Sequence, residues 1–173
     1  MIWNSIEELA LHLKETANTN DIYMTSGGFD PIHIGHLRCI KETAELANDS
    51  EKYPSLMRGI VVIVVNDDSF LIRKKGYAFM PLEERMEIID SIRGVNHVVP
   101  WRAPPGDQTV VKAIEILSPQ YFTKGGDRFD EKTIPEWAIC KKIKCKIITG
   151  VGRGGKIQSS SELVGRSNEF TKK

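Results

Sequence analysis

Behind Ser5, apolar residues recur at helical spacing through Ile6, Leu9, Ala10, Leu13 and Ala17, and Glu8 completes a Ser-x-x-Glu capping box. The chain therefore opens on a short amphipathic helix. After the polar break NTND comes a short apolar run, Ile22 to Thr25, and from Gly35 onward Leu37, Ile40, Ala44 and Ala47 return to helical spacing. A polar, proline-bearing connection, 48–58, leads into GIVVIVVN, whose nearly continuous β-branched character predicts a central strand covered on both faces. Pro81 opens a helix carrying Leu82, Met86, Ile89 and Ile92 that ends near Gly94. VNHVVPW reads as the third strand, Val110, Val111, Ile114 and Leu117 as a helix, QYFT as a short strand, Ile134 to Lys141 as a helix and KCKIITG as the last strand. Strands alternating with helices predict an α/β fold, a Rossmann-like open parallel sheet with helices on both faces. At 173 residues the expectation is one domain, 1–173, with the first 20 residues as an additional N-terminal helix.

Composition narrows the partners. Lysine and arginine number 24 against 23 acidic residues, a net charge of +1, so no global field attracts nucleic acid or a membrane surface. The N-terminal stretch lacks the basic flank and apolar run of a signal peptide, and no stretch of about 18 apolar residues occurs. A soluble, cytoplasmic protein is expected. Cys39, Cys140 and Cys145 are odd in number and lack metal-type or redox spacing, which predicts reduced, mostly buried thiols without disulfide or zinc.

Every unusual polar motif follows a predicted strand, and ligands of open parallel sheets bind beyond the carboxyl ends of strands, where strand order reverses. GGFDPIHIGH, Gly27 to His36, follows the first strand; NDDSFLIRKKG the second, KGGDR the fourth and GVGRGGKIQSSS the fifth. Gly27 and Gly28 allow backbone N–H groups to approach an anion, and the helix beginning near His36 directs its positive end to the same place. His33 and His36 can both donate to phosphate oxygens as charge spreads over them in a displacement. Paired histidines also cap helices or fill polar corners.

GGFDPIHIGHL resembles the histidine motif of the cytidylyltransferase-like nucleotidyltransferases. NDD, PLEER, KGGD and the serine-rich segment follow in the family's order, so the resemblance spans residues 22–164. It implies in-line attack of a phosphate ester on an NTP with release of pyrophosphate and no covalent enzyme intermediate. His33 and His36 would hold the reacting α-phosphate, with Lys75 and Arg85 as further catalytic cations. Gly28, Phe29, Gly35, Lys124, Gly126, Asp127, Arg153, Ser160 and Ser161 would bind the nucleotide, and Asp30 and Asp68 the acceptor. IRKKG is expected as a mobile loop in which Lys75 closes on phosphate while Lys74 faces solvent. The bland alternatives are a solvated cation cluster for 73–75, an N-cap for Asp67, a surface ion pair to Glu84 or Glu87 for Arg85, and a plain N-cap for the serines. Relatives commonly carry threonine at one or both serine positions and a basic residue soon after, whereas this chain has Ser161 and Glu162, a departure that bears on the serine assignments.

The resemblance implies either ATP, as in heptose-phosphate adenylyltransferases, or CTP, as in glycerol-phosphate cytidylyltransferases, with the middle of the chain leaning towards ATP. The acceptor expected is a small sugar or polyol phosphate. Adenylyltransferases of nicotinate mononucleotide or pantetheine phosphate are an alternative, and a nucleotide-binding sensor without turnover is another. Mg²⁺ should arrive with the NTP, held by phosphate oxygens and water, since the sequence shows no acidic cage. A homodimer is expected, with Ile6, Leu9 and Leu13 as an apolar stripe in need of cover.

Overall fold

Val61 to Val65 have no exposed surface in this computed structural model, which describes residues 1–17, 20–49, 58–126, 130–152 and 159–170. A strand buried on both faces needs helices above and below, and the chain provides them in turn. The elements run α1 (Ile6–Thr16), β1 (Ile22–Gly27), α2 (Ile34–Ala47), β2 (Ile60–Asn66), α3 (Asp68–Lys75), α4 (Leu82–Asp90), β3 (His97–Trp101), α5 (Val111–Leu117), β4 (Tyr121–Gly125), α6 (Trp137–Lys142), β5 (Lys146–Val151) and α7 (Ser160–Phe170).

The five strands lie in the order β3-β2-β1-β4-β5, and the pairings β1–β2, β1–β4, β2–β3 and β4–β5 are all parallel. β2 is interior, as its composition requires, with β1 in the middle of the sheet. The chain steps outward from β1 to β3 and then returns to β1's other side with β4. Strand order thus reverses between β1 and β4, directly where the histidine motif leaves the sheet. Pro100 lies in β3, an edge strand, where a missing N–H is tolerated.

Two apolar layers sandwich the sheet. On one face Ile40, Ala44 and Ala47 of α2 and Met86 and Ile89 of α4 pack on Tyr23, Val61, Ile63 and Val65. On the other, α1, α5 and α6 join Phe70 and Leu71 of α3 over Met24, Val62 and Val64. Ser5 caps α1 by accepting from Glu8 N–H at 3.2 Å. Ile6, Leu9 and Leu13 are buried against the chain's own elements, α1 contacting α5 and β3. The stripe is therefore covered by the chain's own elements, an outcome compatible with the expected homodimer. Ile2 adds a bridge to Val98, with Trp3 N–H donating to Val98 O and Val98 N–H to Met1 O, each at 2.9 Å, which covers the outer edge of β3.

Two sequence expectations change. The IRKKG segment is the last turn and C-cap of α3. Asp67 caps the helix by accepting from Phe70 N–H at 2.8 Å, Phe70 and Leu71 anchor it, and Gly76 ends it at φ 87°. The capping alternative for Asp67 is the one the structure adopts. The helix expected from Ile134 starts instead at Trp137, because Ile134 to Glu136 form the preceding turn. Cys39, Cys140 and Cys145 are free thiols. Among the described residues no helix is long and apolar enough to cross a membrane.

Candidate active site

A cavity of about 370 Å³ opens at the carboxyl ends of β1 and β4. Its floor is Thr25 to Gly28 and Lys124 to Gly126. One wall is the start of α2, with His33, His36 and Cys39; the other is Phe70 and Lys74 of α3 with Gln108 to Val110 ahead of α5. Pro135, Glu136, Gly152, Ser159 and Ser160 close the β4–β5 side.

The H-x-G-H spacing folds locally for a clear reason. His33 is the N-cap of α2, its Nδ1 accepting from Gly35 N–H at 3.1 Å. A Cβ on Gly35 would sit 3.0 Å from His33 Cε1, so the glycine makes room for the ring to fold back over the helix start. One helical turn on, His36 stacks against it with centroids 3.8 Å apart, and the Phe29 ring meets His36 edge-on at 5.1 Å. Phe29 is buried at φ 51°, so its backbone rather than its ring is available to a ligand. Burial lowers the pKa of both imidazoles. For His36 it falls to about 3, through burial first and then the neighbouring His33 and Lys75 against the opposing pull of Asp30. Both rings are thus neutral at pH 7. With Nδ1 of His33 accepting, its proton lies on Nε2.

The depressed imidazoles predict an acid-labile fold. Between a folded pKa of about 3 and the unfolded 6.5, the unfolded chain binds a proton that folded His36 refuses. Stability is therefore full above pH 6.5 and falls as pH drops towards 3, by at most about 1.4 kcal/mol per pH unit for this group. His97, held at about 4 mainly by burial and then by His12 and the N-terminus, adds in the same direction. Urea unfolding at pH 7, 6 and 5 should show this slope, and His36→Gln should flatten it; an unchanged slope in the variant would exclude His36 as a source.

Four residues expected to meet ligands have partners inside the protein. Arg85 is fully buried: its Nε donates to Met80 O at 3.0 Å, its guanidinium to Gly28 O at 2.6 Å and Asn66 O at 2.8 Å, and it pairs with Asp68. It faces neither the cavity nor Glu84 and Glu87, because α4 turns it into the junction of β1, β2 and α3. Asp68, expected at the acceptor, is its counter-ion. Asp30, also expected at the acceptor, is fully buried and accepts from Phe79 N–H at 2.8 Å and Met80 N–H at 2.7 Å. Lys75 donates to Asp30 O at 2.9 Å and lies 3.6 Å from its carboxylate, while burial lowers the ammonium's pKa against Asp30's pull. The helical twist of α3 exchanges the two lysines: Lys74 lines the cavity, its ammonium 5.5 Å from the Phe70 ring centroid, and Lys75 holds the histidine loop.

Gly28, Phe29, Gly35, Lys124, Gly126 and Ser160 do line the cavity with the two histidines. Lys124 lies 3.4 Å from Glu136, a buried acid just before α6 whose other oxygen is 3.5 Å from Val110 N–H. Ser160 donates to Pro31 O at 3.1 Å, tying α7 to the histidine loop, whereas Ser161 is exposed and Ser159 is the residue that caps the helix, accepting from Glu162 N–H at 3.2 Å. Asp127 and Arg153 lie outside the described residues. The sequence reading missed Asn66, Phe70, Lys74 and Glu136. A register count through α3 would have found Lys74, four residues after the buried Phe70 and so on the same helix face.

The chain is similar to several known proteins. The chain is 30% identical over 138 residues to the bifunctional protein HldE of Hahella chejuensis, covering 78% of this chain and 26% of that one. It is 31% identical over 123 residues to the FAD synthase of Thermococcus kodakarensis, covering 70% and 67%. The chain therefore spans about a quarter of the bifunctional relatives and most of the FAD synthase. A lipopolysaccharide core biosynthesis protein from Thermoplasma volcanium superposes with a TM-score of 0.58 at 26% identity, covering 78% of this chain and 98% of that one. Pantoate-β-alanine ligase from Francisella tularensis, at 13% identity and a TM-score of 0.60, covering 100% and 78%, shares the fold. The cytidylyltransferase-like family profile matches residues 24–163, from the middle of β1 into α7, and with the stacked histidines at the strand-order reversal this makes the chain a member of that family and an enzyme of the nucleotidyltransferase type.

Proposed function

We propose that the enzyme transfers a nucleotidyl group, AMP in preference to CMP, from an NTP to the phosphate of a small sugar or polyol phosphate, releasing pyrophosphate. The observation that carries this is the stacked, neutral pair His33 and His36 at the N-terminus of α2, opening into a cavity at the β1–β4 reversal. An acceptor phosphate is already anionic at pH 7, so the site needs donors and position more than a strong base. Neutral imidazoles, the backbone N–H groups of the glycine loop and the α2 dipole meet that need. The lean to adenylyl transfer is supported by the FAD synthase relatives, whose named product carries an adenylyl group.

The same relatives make a flavin phosphate the second reading for the acceptor. The cavity, near the lower end of the roughly 300–1,000 Å³ usual for ligand sites, favours the smaller one. Among the described residues no cluster of three or more His, Cys, Asp or Glu forms a metal cage. Mg²⁺ bound with the NTP would accordingly be held by phosphate oxygens and water, adding charge neutralisation on the triphosphate.

A pyrophosphate-release screen of four NTPs against sugar phosphates, polyol phosphates and FMN tests the proposal. ATP with a sugar or polyol phosphate is the expected productive pair. Nucleotide binding without pyrophosphate from any pair would favour a sensor role.

A further inference from the structure

The turn that follows α6 brings two thiols together. Cys145 N–H donates to Cys140 O at 2.8 Å and Lys144 N–H to Lys141 O at 3.3 Å, with Lys144 at φ 60°. These are the paired bonds of a Schellman helix terminus, which sets the residue two beyond the C-cap, Ile143, against the one three before it. An apolar pair usually meets there; here both residues are cysteines. The 2.8 Å bond limits the separation of their Cα atoms to about 6.7 Å, inside the roughly 4.4–6.8 Å that a disulfide spans. The two side chains are hydrogen-bonded to each other as thiols.

The surroundings favour reaction over inert packing. Lys141, Lys144 and Lys146 are exposed around the pair, with Lys142 paired to Glu115, an electropositive setting that favours a thiolate. The hydrogen bond from Cys145 lowers the pKa of Cys140 against the effect of burial, while that of Cys145 is raised. One sulfur is prepared to attack and the other to resolve. Cys145 is 7% exposed and Cys140 has no exposed surface, so an oxidant reaches them when the turn opens. α6 has six residues and no side-chain bond at its N-cap, and so short a helix holds by packing, which lets its end open without global unfolding.

We infer that Cys140 and Cys145 form an oxidation site, a dithiol that hydroperoxides convert reversibly to a disulfide. The Cys140 thiolate attacks one peroxide oxygen, the O–O bond breaks, and a sulfenic acid and hydroxide result. Cys145 Sγ then displaces hydroxide from Cys140 Sγ and gives up its own proton. The two thiols lose two hydrogens and two electrons in all, and hydrogen peroxide leaves as two waters. A dithiol reductant returns the pair to its starting state, the behaviour of transient disulfides in reducing compartments. Cys39, whose pKa is raised by burial first, is the internal control. The assignment does not depend on the transfer reading.

The test treats the reduced full chain at neutral pH with hydrogen peroxide, then alkylates it in denaturant and measures its mass. The expected product is a monomer lacking two hydrogens, with Cys39 alkylated and the tryptic peptides of Cys140 and Cys145 linked, all reversed by dithiothreitol. Cleavage after the intervening lysines separates the two cysteines, so the linked peptides identify the bridge. Cys39→Ser should give the same bridge. Cys145→Ser should stop at a Cys140 sulfenic acid trapped by dimedone, and Cys140→Ser should react about tenfold more slowly at Cys145. Circular dichroism guards against reading a misfolded variant as an unreactive one, and the wild-type arm decides the matter even if a variant misfolds. A pair that bridges only in urea, or that outlasts Cys39 or free cysteine under the same peroxide, would overturn the assignment.

Discussion

His33→Ala and His36→Ala are each expected to lower kcat about 10²–10³-fold, the usual effect of removing one preorganised donor to a developing charge, with the NTP Kd changed only a few-fold. The stacked geometry argues for a donor role over that of a general base. At a centroid separation of 3.8 Å, two charged imidazoles would repel, and His33 is among the influences that lower His36. One neutral ring donates from Nε2 because its Nδ1 is fixed by Gly35 N–H. A ring that titrated in the ordinary imidazole range, about pH 6.5, would impose an acidic limb on kcat there. Neutral donors with depressed pKa values leave kcat level down to lower pH. Single-turnover rates from pH 5.5 to 8, with nucleotide Kd measured separately, check both points. Near-normal turnover in either variant would remove that histidine from the chemistry.

The fold was legible because its signals are local and repeated. The β-branched run in β2, the capping box at Ser5 and the helical spacing in α2 each correspond to an observed element, and the motifs after the first, second, fourth and fifth strands share one sheet edge. The eight-residue α3 was less legible, since its stability rests on an Asp67 cap, a Gly76 terminus and two anchors instead of an extended apolar period. Within the site, residue type located the donors but could not orient them. Lys74 and Lys75 are adjacent in sequence, yet one helical step of about 100° separates cavity from interior. Glu136 carries no motif, and Asn66 is marked only as the first residue of NDD; the convergence of strand ends places both at the cavity.

Arg85→Ala is expected to cost about 3 kcal/mol of stability or more, because three backbone carbonyls lose their buried donor at about 1–3 kcal/mol each, while Asp68, 41% exposed, keeps its access to water. The guanidinium has no exposed surface and gathers the carbonyls of Gly28, Asn66 and Met80 together with the Asp68 carboxylate. Truncation leaves those acceptors short of donors at the point where the phosphate loop, the end of β2 and the α3–α4 connection meet. Lysine keeps the charge but lacks the planar fork that reaches several partners at once, so Arg85→Lys should recover only part of the loss. Were Arg85 a phosphate ligand, Arg85→Lys would fold with wild-type stability and show its defect only in nucleotide affinity. A positioning residue gives the reverse order: a lowered urea midpoint first, then a raised NTP Kd in the folded fraction, because Gly28 is no longer held in place. Urea unfolding of wild type, Arg85→Lys and Arg85→Ala, each with and without saturating ATP, separates the two, and an unchanged midpoint for Arg85→Ala would return this arginine to the ligand side of the loop.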